Sequence, residues 1–384
     1  VRLALVSDTY TPQVNGVTTV LQRIEKAITN AGQDIAIVAP AYPSWDEADR
    51  EKELRVPSLP FPPYPAIRFT LPMVGRVDRF LTRYKPDIVH VATEGPLGLV
   101  GRHWATKARV PLVTSFHTDF PRYCHHYGVP HLEKLMWRFL IWFHKAALLT
   151  QTPGDAIKEK LDGFGLKHVK VWGRGVDTEL FTPTRRSSEW RRARDVADDT
   201  VVVLHVGRMA AEKNVETLAE SWVMANRVLG DRALFLVAGE GPYAKRFVER
   251  VPWATSLGFL KQNELADVYA NSDICVLPSH TETCGLVALE AMASGVPVIA
   301  ADAGGFRESV RDGENGVLVP PFDASRYAES IIGLAIDKDL RLCFSAAARE
   351  LAESRDVRIE DRELLEQYRS LLNPNTPRAL CHAA

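Results

Sequence analysis

Short apolar runs recur along this chain, separated by stretches in which apolar positions return every three or four residues. Residues 3–8 (LALVSD), 34–39 (DIAIVA), 88–91 (IVHV) and 112–114 (LVT) have the continuous apolar character of strands buried on both faces. Residues 9–18 (TYTPQVNGVT) form a Gly/Pro loop that leads into an amphipathic helix. A second set of strands is predicted at 201–206 (VVVLHV), 233–238 (ALFLVA), 274–277 (ICVL) and 298–300 (VIA). Strands alternating with helical patterns predict an α/β chain with two doubly wound parallel sheets. Leu132, Leu135, Met136, Phe139, Leu140 and Phe143 recur at helical spacing and predict a helix packed on the first sheet. Residues 364–372 (LLEQYRSLL) predict a terminal helix, and 373–384 a disordered tail.

Composition adds limits. The 384 residues are 46% apolar and 25% charged, ordinary for globular domains, and no apolar run reaches the ~18 residues that span a bilayer. The chain opens directly on a strand, with no signal peptide, so a cytoplasmic location is expected. Cys124, Cys275, Cys284, Cys343 and Cys381 are scattered and odd in number, which predicts reduced thiols. The net charge of −1 hides an asymmetry of +7 over residues 1–175 and −8 over 176–384. A basic first half suits an anionic acceptor or membrane surface, and the overall balance disfavours nucleic acid. Residues 122–145 interleave aromatic and basic side chains as an interfacial segment would. His125, His126 and His131 have no accompanying carboxylate cluster, so no metal site is expected there.

The richest stretch for chemistry is 280–295 (HTETCGLVALEAMASG). Gly285 gives a compact entry to a helix whose first amides, from Gly285, Leu286 and Val287, would face outward at the positive end of the dipole and suit a phosphate. The stretch joins a turn carrying Glu282 to a helix carrying Glu290; measured as continuous helix, the two acids stand about 12 Å and about 80° apart, so both can border one elongated ligand. Gly207-Arg208-Met209-Ala210-Ala211-Glu212-Lys213 follows a strand and supplies a forked and a point cation. Such a pair would suit a phosphate-bearing ligand, whose charge a metal could otherwise balance. No Asp-x-Asp lies between strand-like residues, so no metal cofactor is expected. Residues 239–244 (GEGPYA) imitate a dinucleotide fingerprint but are not at the first βα turn of their domain.

The Glu-x7-Glu spacing with its Ala-Met-Ala-Ser-Gly sequel, the Gly-Arg-x4-Lys element, the Gly-x-Gly-Pro turn and Gly304-Gly305-Phe306-Arg307-Glu308 together resemble glycosyltransferase family 4. The resemblance covers roughly residues 2–372. Phe116-His117-Thr118-Asp119-Phe120, Tyr123, Tyr127 and Thr281-Glu282-Thr283 resemble its α-mannosyltransferase branch, which acts on lipids and polyols.

The resemblance implies retaining enzymes of the GT-B fold, with two Rossmann-like domains facing a deep cleft and a C-terminal helix crossing back to the first. Val169 to Asp177, resembling the interdomain Gly-Val-Asp segment, divides the chain into 1–172 for the acceptor, 173–355 for the nucleotide sugar, 356–372 as the returning helix and 373–384 as tail. It further implies that His117 faces the transferred sugar, that Arg208 and Lys213 bind the diphosphate, that Glu282 meets sugar hydroxyls and that Glu290 meets the ribose. Gly16 would approach the diphosphate, Gly258, Phe259 and Leu260 the base, and Cys284, Gly285, Leu286 and Val287 the remainder of the donor. Asp119, Tyr123, His125, Tyr127 and Arg174 are acceptor-side candidates. Cys284 stands where an aromatic is usual, and Arg174 where Asn is common. The expected partners are a nucleotide-sugar donor, GDP-mannose first, a lipid-linked or polyol acceptor, and an anionic membrane surface. A UDP-sugar donor, a binding protein without transfer activity, and an acceptor-free epimerase are the competing readings.

Overall fold

The computed structural model describes residues 1–13, 15–43, 51–61, 64–117, 121, 130–172, 175–197, 199–282 and 284–373. The chain forms two compact units, residues 1–173 with 361–384, and residues 174–360.

The first unit is built on β1 (Arg2–Val6), β2 (Asp34–Pro40), β3 (Glu53–Val56), β4 (Ser58–Phe61), β5 (Tyr64–Thr70), β6 (Ile88–Val91), β7 (Leu112–Ser115), β8 (Leu149–Thr152) and β9 (Val169–Val171). Seven of these form one parallel sheet in the order β3-β2-β1-β6-β7-β8-β9, and β4 and β5 form a separate antiparallel ladder. The apolar runs are continuous because both faces are covered. Leu3 and Leu5 of β1 pack with Leu21, Ile24 and Ile28 of the helix Gly16–Asn30, while Ala4 and Val6 pack with Val77, Leu81 and Leu97. Asn15 starts that helix in a reciprocal capping box with Thr18.

Two expectations need correction. The first strand stops at Val6 instead of reaching Asp8. The Asp8 carboxylate turns to accept the amides of Leu97 at 2.9 Å and Gly98 at 3.1 Å, capping the helix Pro96–Ala108. Gly95 permits this approach, because a Cβ there would stand 2.5 Å from the Asp8 carboxyl carbon. In the helix Glu133–His144, Trp137, Leu140 and Phe143 are buried as a stripe, but Leu132 and Leu135 face solvent, 40% and 62% exposed. The terminal helix spans Val357–Leu371, within the expected 356–372 and longer than the 364–372 pattern alone. Its Leu364 and Tyr368 join the core of the first unit, and the Tyr368 hydroxyl lies 2.7 Å from His90 Nδ1, whose Nε2 meets Ser115 Oγ at 2.6 Å. Burial lowers the His90 pKa to about 3, so a neutral ring fills both bonds, donating one and accepting the other.

The second unit carries β10 (Val201–Val206), β11 (Ala233–Ala238), β12 (Thr255–Gly258), β13 (Ile274–Leu277), β14 (Val298–Ala301) and β15 (Gly316–Val319). All pair in parallel, in the order β12-β11-β10-β13-β14-β15. Val202 and Leu204 pack on one face with Ala288, Leu289 and Met292 of the helix Leu286–Ala293. Val201 and Val203 pack on the other with Leu218, Trp222, Tyr327 and Ile331. The connectivity reverses between β10 and β13, and open α/β sheets place their ligands outside the strand ends at such a point.

Candidate functional site

The loop leaving β10 lies at that reversal. Gly207 N donates to the Ala238 carbonyl at 3.0 Å and Met209 N to the Glu240 carbonyl at 2.9 Å, so the loops after β10 and β11 interlock through their backbones. A Cβ at Gly239 would stand 1.9 Å from the Gly207 oxygen, and one at Gly241 2.3 Å from that of Met209. The glycines of the fingerprint-like 239–244 segment therefore serve backbone packing. The short helical turn Ala211–Lys213 ends at Asn214, in the left-handed region at φ 55°, and the Ser279 and Thr281 hydroxyls both donate to the Glu212 carbonyl at 3.1 Å. These bonds join the loops after β10 and β13 across the reversal, and Lys213 Nζ meets Glu282 Oε2 at 2.5 Å. Arg208 is 57% exposed and only 3.9 Å from Glu212, too long for a hydrogen bond, so its guanidinium remains available.

Glu282 does not belong to the helix that follows. Its carbonyl accepts from Gly305 N at 2.9 Å, and Gly304, at φ 55°, is a position where a Cβ would stand 2.2 Å from that oxygen. The helix Leu286–Ala293 starts at Gly285, φ 68°, with no side-chain cap among the described residues. One acid is thus at the turn and the other in the second turn of the helix, as the sequence predicts, and only the separation calculated for a continuous helix does not apply. The leading helix amides keep their outward polarity.

Glu290 is partly buried, with its Oε2 3.3 Å from the Tyr269 hydroxyl. Burial raises its pKa from 4.5 to about 7; the Tyr269 bond opposes the rise and the Glu282 charge adds to it. Tyr269 is fully buried between Glu290 and the Val287 carbonyl, 3.2 Å away. Sequence reasoning missed it, because an isolated Tyr in a helix reads as core. Gly258, φ 66°, turns the chain at the end of β12, and Phe259 N lies 3.4 Å from Glu240 Oε1 with its ring 62% exposed. Leu260 packs on the core, and Cys284 is partly exposed.

In the first unit, His117 follows β7. Its Nε2 is shielded from solvent and has no hydrogen-bond partner among the described residues. The neighbouring His144 is fully engaged, with Nε2 3.1 Å from Glu94 and Nδ1 2.9 Å from Thr114. Burial, then the proximity of His144, depress the His117 pKa to about 4, leaving a neutral imidazole with an unused polar atom. A capped core histidine would look like His90. The Glu94–His144 pair went unnoticed in the sequence because its members are fifty residues apart. Gly16 is the uncrowded first residue of its helix. Asp119, Tyr123, His125, Tyr127 and Arg174 lie outside the described residues, so nothing is said of their placement. Among the described residues, no group of three or more His, Cys, Asp or Glu side chains is gathered as a metal ion would need.

The comparisons converge. Residues 14–180 match the family model described as Glycosyltransferase Family 4, and residues 186–351 the model described as Glycosyl transferases group 1. A GDP-mannose-dependent alpha-mannosyltransferase of Mycobacterium tuberculosis is 31% identical over 99% of each chain. A sulfoquinovosyl transferase of Arabidopsis thaliana is 32% identical over 92% of this chain and 71% of its own length. Among solved structures, sucrose-phosphate synthase of Thermosynechococcus elongatus superposes with a TM-score of 0.79 at 20% identity, covering 97% of this chain and 99% of the other.

Proposed function

Because the chain belongs to glycosyltransferase family 4 and has the GT-B fold, we propose that it transfers mannose from GDP-mannose to a lipid-linked or polyol acceptor, with retention of configuration and without a metal ion. The observation that carries this reading is the array at the β10/β13 reversal: Arg208 and Lys213 follow β10, Glu282 and the helix start at Gly285 follow β13, and Lys213 joins the two loops through Glu282, with Glu290 inside the helix. In the first unit the corresponding helix start is closed by Asp8, so the diphosphate is assigned to the second unit.

The acceptor oxygen forms the new bond to the anomeric carbon on the face from which the phosphate oxygen departs, and the departing phosphate takes the acceptor's proton. Arg208 and Lys213 stabilise the charge that accumulates on the diphosphate, Glu290 holds the ribose diol, Glu282 and His117 meet sugar hydroxyls, and the backbone at Gly258 to Leu260 meets the base. Lys213 already touches Glu282, so one ammonium links the sugar and phosphate ends of the donor.

An anionic membrane surface is assigned to the first unit. Leu59 and Phe69 are cross-strand partners in the β4–β5 ladder, 57% and 51% exposed, and Val74 is exposed beside them in sequence. Val74 also borders an apolar hollow of about 270 Å³ with Pro72, Pro96 and Leu99. The helix Val74–Tyr84 then presents Arg76, Arg79 and Arg83 to solvent at one-face spacing. No described helix is long and apolar enough to cross a membrane.

A UDP-sugar donor is the second reading; a relative named for sulfoquinovosyl transfer, a sugar other than mannose, keeps the choice of donor sugar open to test. Radiolabelled GDP-mannose and UDP-glucose, offered with diacylglycerol vesicles or inositol phosphate in excess EDTA, test both. Mannose incorporation in the α configuration is expected. Incorporation from UDP-glucose alone selects the second reading, and donor turnover without any acceptor product overturns transfer.

A further inference from the structure

One strained residue stands next to the sugar-side loop. Pro320 to Asp323 form a tight turn closed by Asp323 N to the Pro320 carbonyl at 3.3 Å. Phe322 is at its third position with φ 70°, where such turns call for glycine. A bulky side chain there is a genuine outlier, and outliers of this kind persist where the surroundings hold them and often mark function. Core packing does not account for it, because Phe322 is 62% exposed. Its ring lies against His280, with centroids 4.8 Å apart and planes inclined by 52°. His280 sits between Ser279 and Thr281, whose hydroxyls tie the loop to Glu212, and two residues before Glu282.

The order of loops along the carboxyl edge of the second sheet gives this pair its place. The base is assigned after β12, the cations follow β10, Glu282 and Gly285 follow β13, Gly304 and Gly305 follow β14, and Phe322 follows β15. A donor laid out in that order points its sugar toward Phe322. Resting on the function proposed above, we propose that the Phe322 ring, seated on His280, is an apolar shelf against which the C–H face of the donor's hexose packs while Glu282 takes its hydroxyls. The shelf gives a sugar pocket with a small side chain at Cys284 an aromatic wall from another loop.

The test is calorimetric titration of the full chain with GDP and with GDP-mannose, for the wild type, Phe322→Ala, Phe322→Gly and Phe322→Tyr. The shelf predicts unchanged GDP affinity in every variant, a loss of about 2- to 10-fold in GDP-mannose affinity for the Ala and Gly variants, and recovery with Tyr. Phe322→Gly also relieves the positive φ, so its melting temperature is expected to stay level or rise by about 2–4 °C. A structural role would instead lower stability and weaken both ligands together. GDP-mannose binding by the Ala variant at wild-type strength overturns the shelf alone. If the wild type binds neither GDP-mannose nor UDP-glucose, the reading of the whole site falls, and the shelf with it.

Discussion

Glu290→Gln separates the stability of the second unit from its binding. The wild-type carboxyl has a pKa near 7 in the folded state against 4.5 unperturbed, a difference equivalent to about 3 kcal/mol between its two protonation states. Because the folded pKa is the higher one, the folded chain retains a proton that the unfolded chain releases between pH 4.5 and 7. Wild-type stability should therefore decline across that window and level off above it. Glutamine keeps the shape and the acceptor for Tyr269 but carries no charge. Allowing for relaxation around a partly buried group, Glu290→Gln should exceed the wild type by about 1–3 kcal/mol at pH 8 and match it near pH 4.5, which is several degrees in melting temperature. The same variant loses the charge-assisted contact to the ribose diol, worth about 1.5–3 kcal/mol, so GDP should bind roughly 10- to 100-fold more weakly. Melting curves at pH 4.5, 6 and 8 alongside titration at pH 8 measure both effects. A variant that is less stable at pH 8, or that binds GDP as tightly as the wild type, refutes the reasoning.

His117→Ala should reduce kcat on the order of 100-fold with little change in the KM for the donor, and the loss of a group already neutral above pH 4 should leave the shape of the pH profile between 5 and 8 unaltered; a new inflection near pH 6.5 would place a titrating His117 in the wild type. Replacing Arg76, Arg79 and Arg83 by Ala should lower binding to phosphatidylserine vesicles by about 5-fold per arginine at low salt, read by co-sedimentation, while GDP affinity stays constant. Equal sedimentation of the variant would move membrane contact elsewhere.

Both sheets were visible in the sequence wherever a strand is covered on two faces, as with 201–206 and 274–277, which match the observed strands residue for residue. Strands escaped notice where other physics replaced the apolar run. Leu149–Thr152 is half threonine, and its buried Thr150 hydroxyl pairs with that of Thr114 at 3.1 Å. Thr255–Gly258 is an edge strand with exposed Thr255 and Ser256. The positions of Arg208 and Lys213 after β10, and of Glu282 and Glu290 before and inside the helix Leu286–Ala293, were legible because each lies close to a strand or helix signal. Contacts between residues remote in sequence were not. The Lys213–Glu282 pair, Tyr269 behind Glu290 and Asp8 over Gly95 depend on which loops meet at a sheet edge, and no local pattern encodes that.

The central claim is that the second unit holds a nucleoside diphosphate between Arg208, Lys213 and the start of the helix at Gly285. The most direct measurement is calorimetric titration of GDP and UDP into the wild type and into Arg208→Ala and Lys213→Ala. The account predicts a preference for GDP and a loss of about 10-fold or more in each variant. Binding that ignores both substitutions, or no binding of either nucleotide, would contradict it.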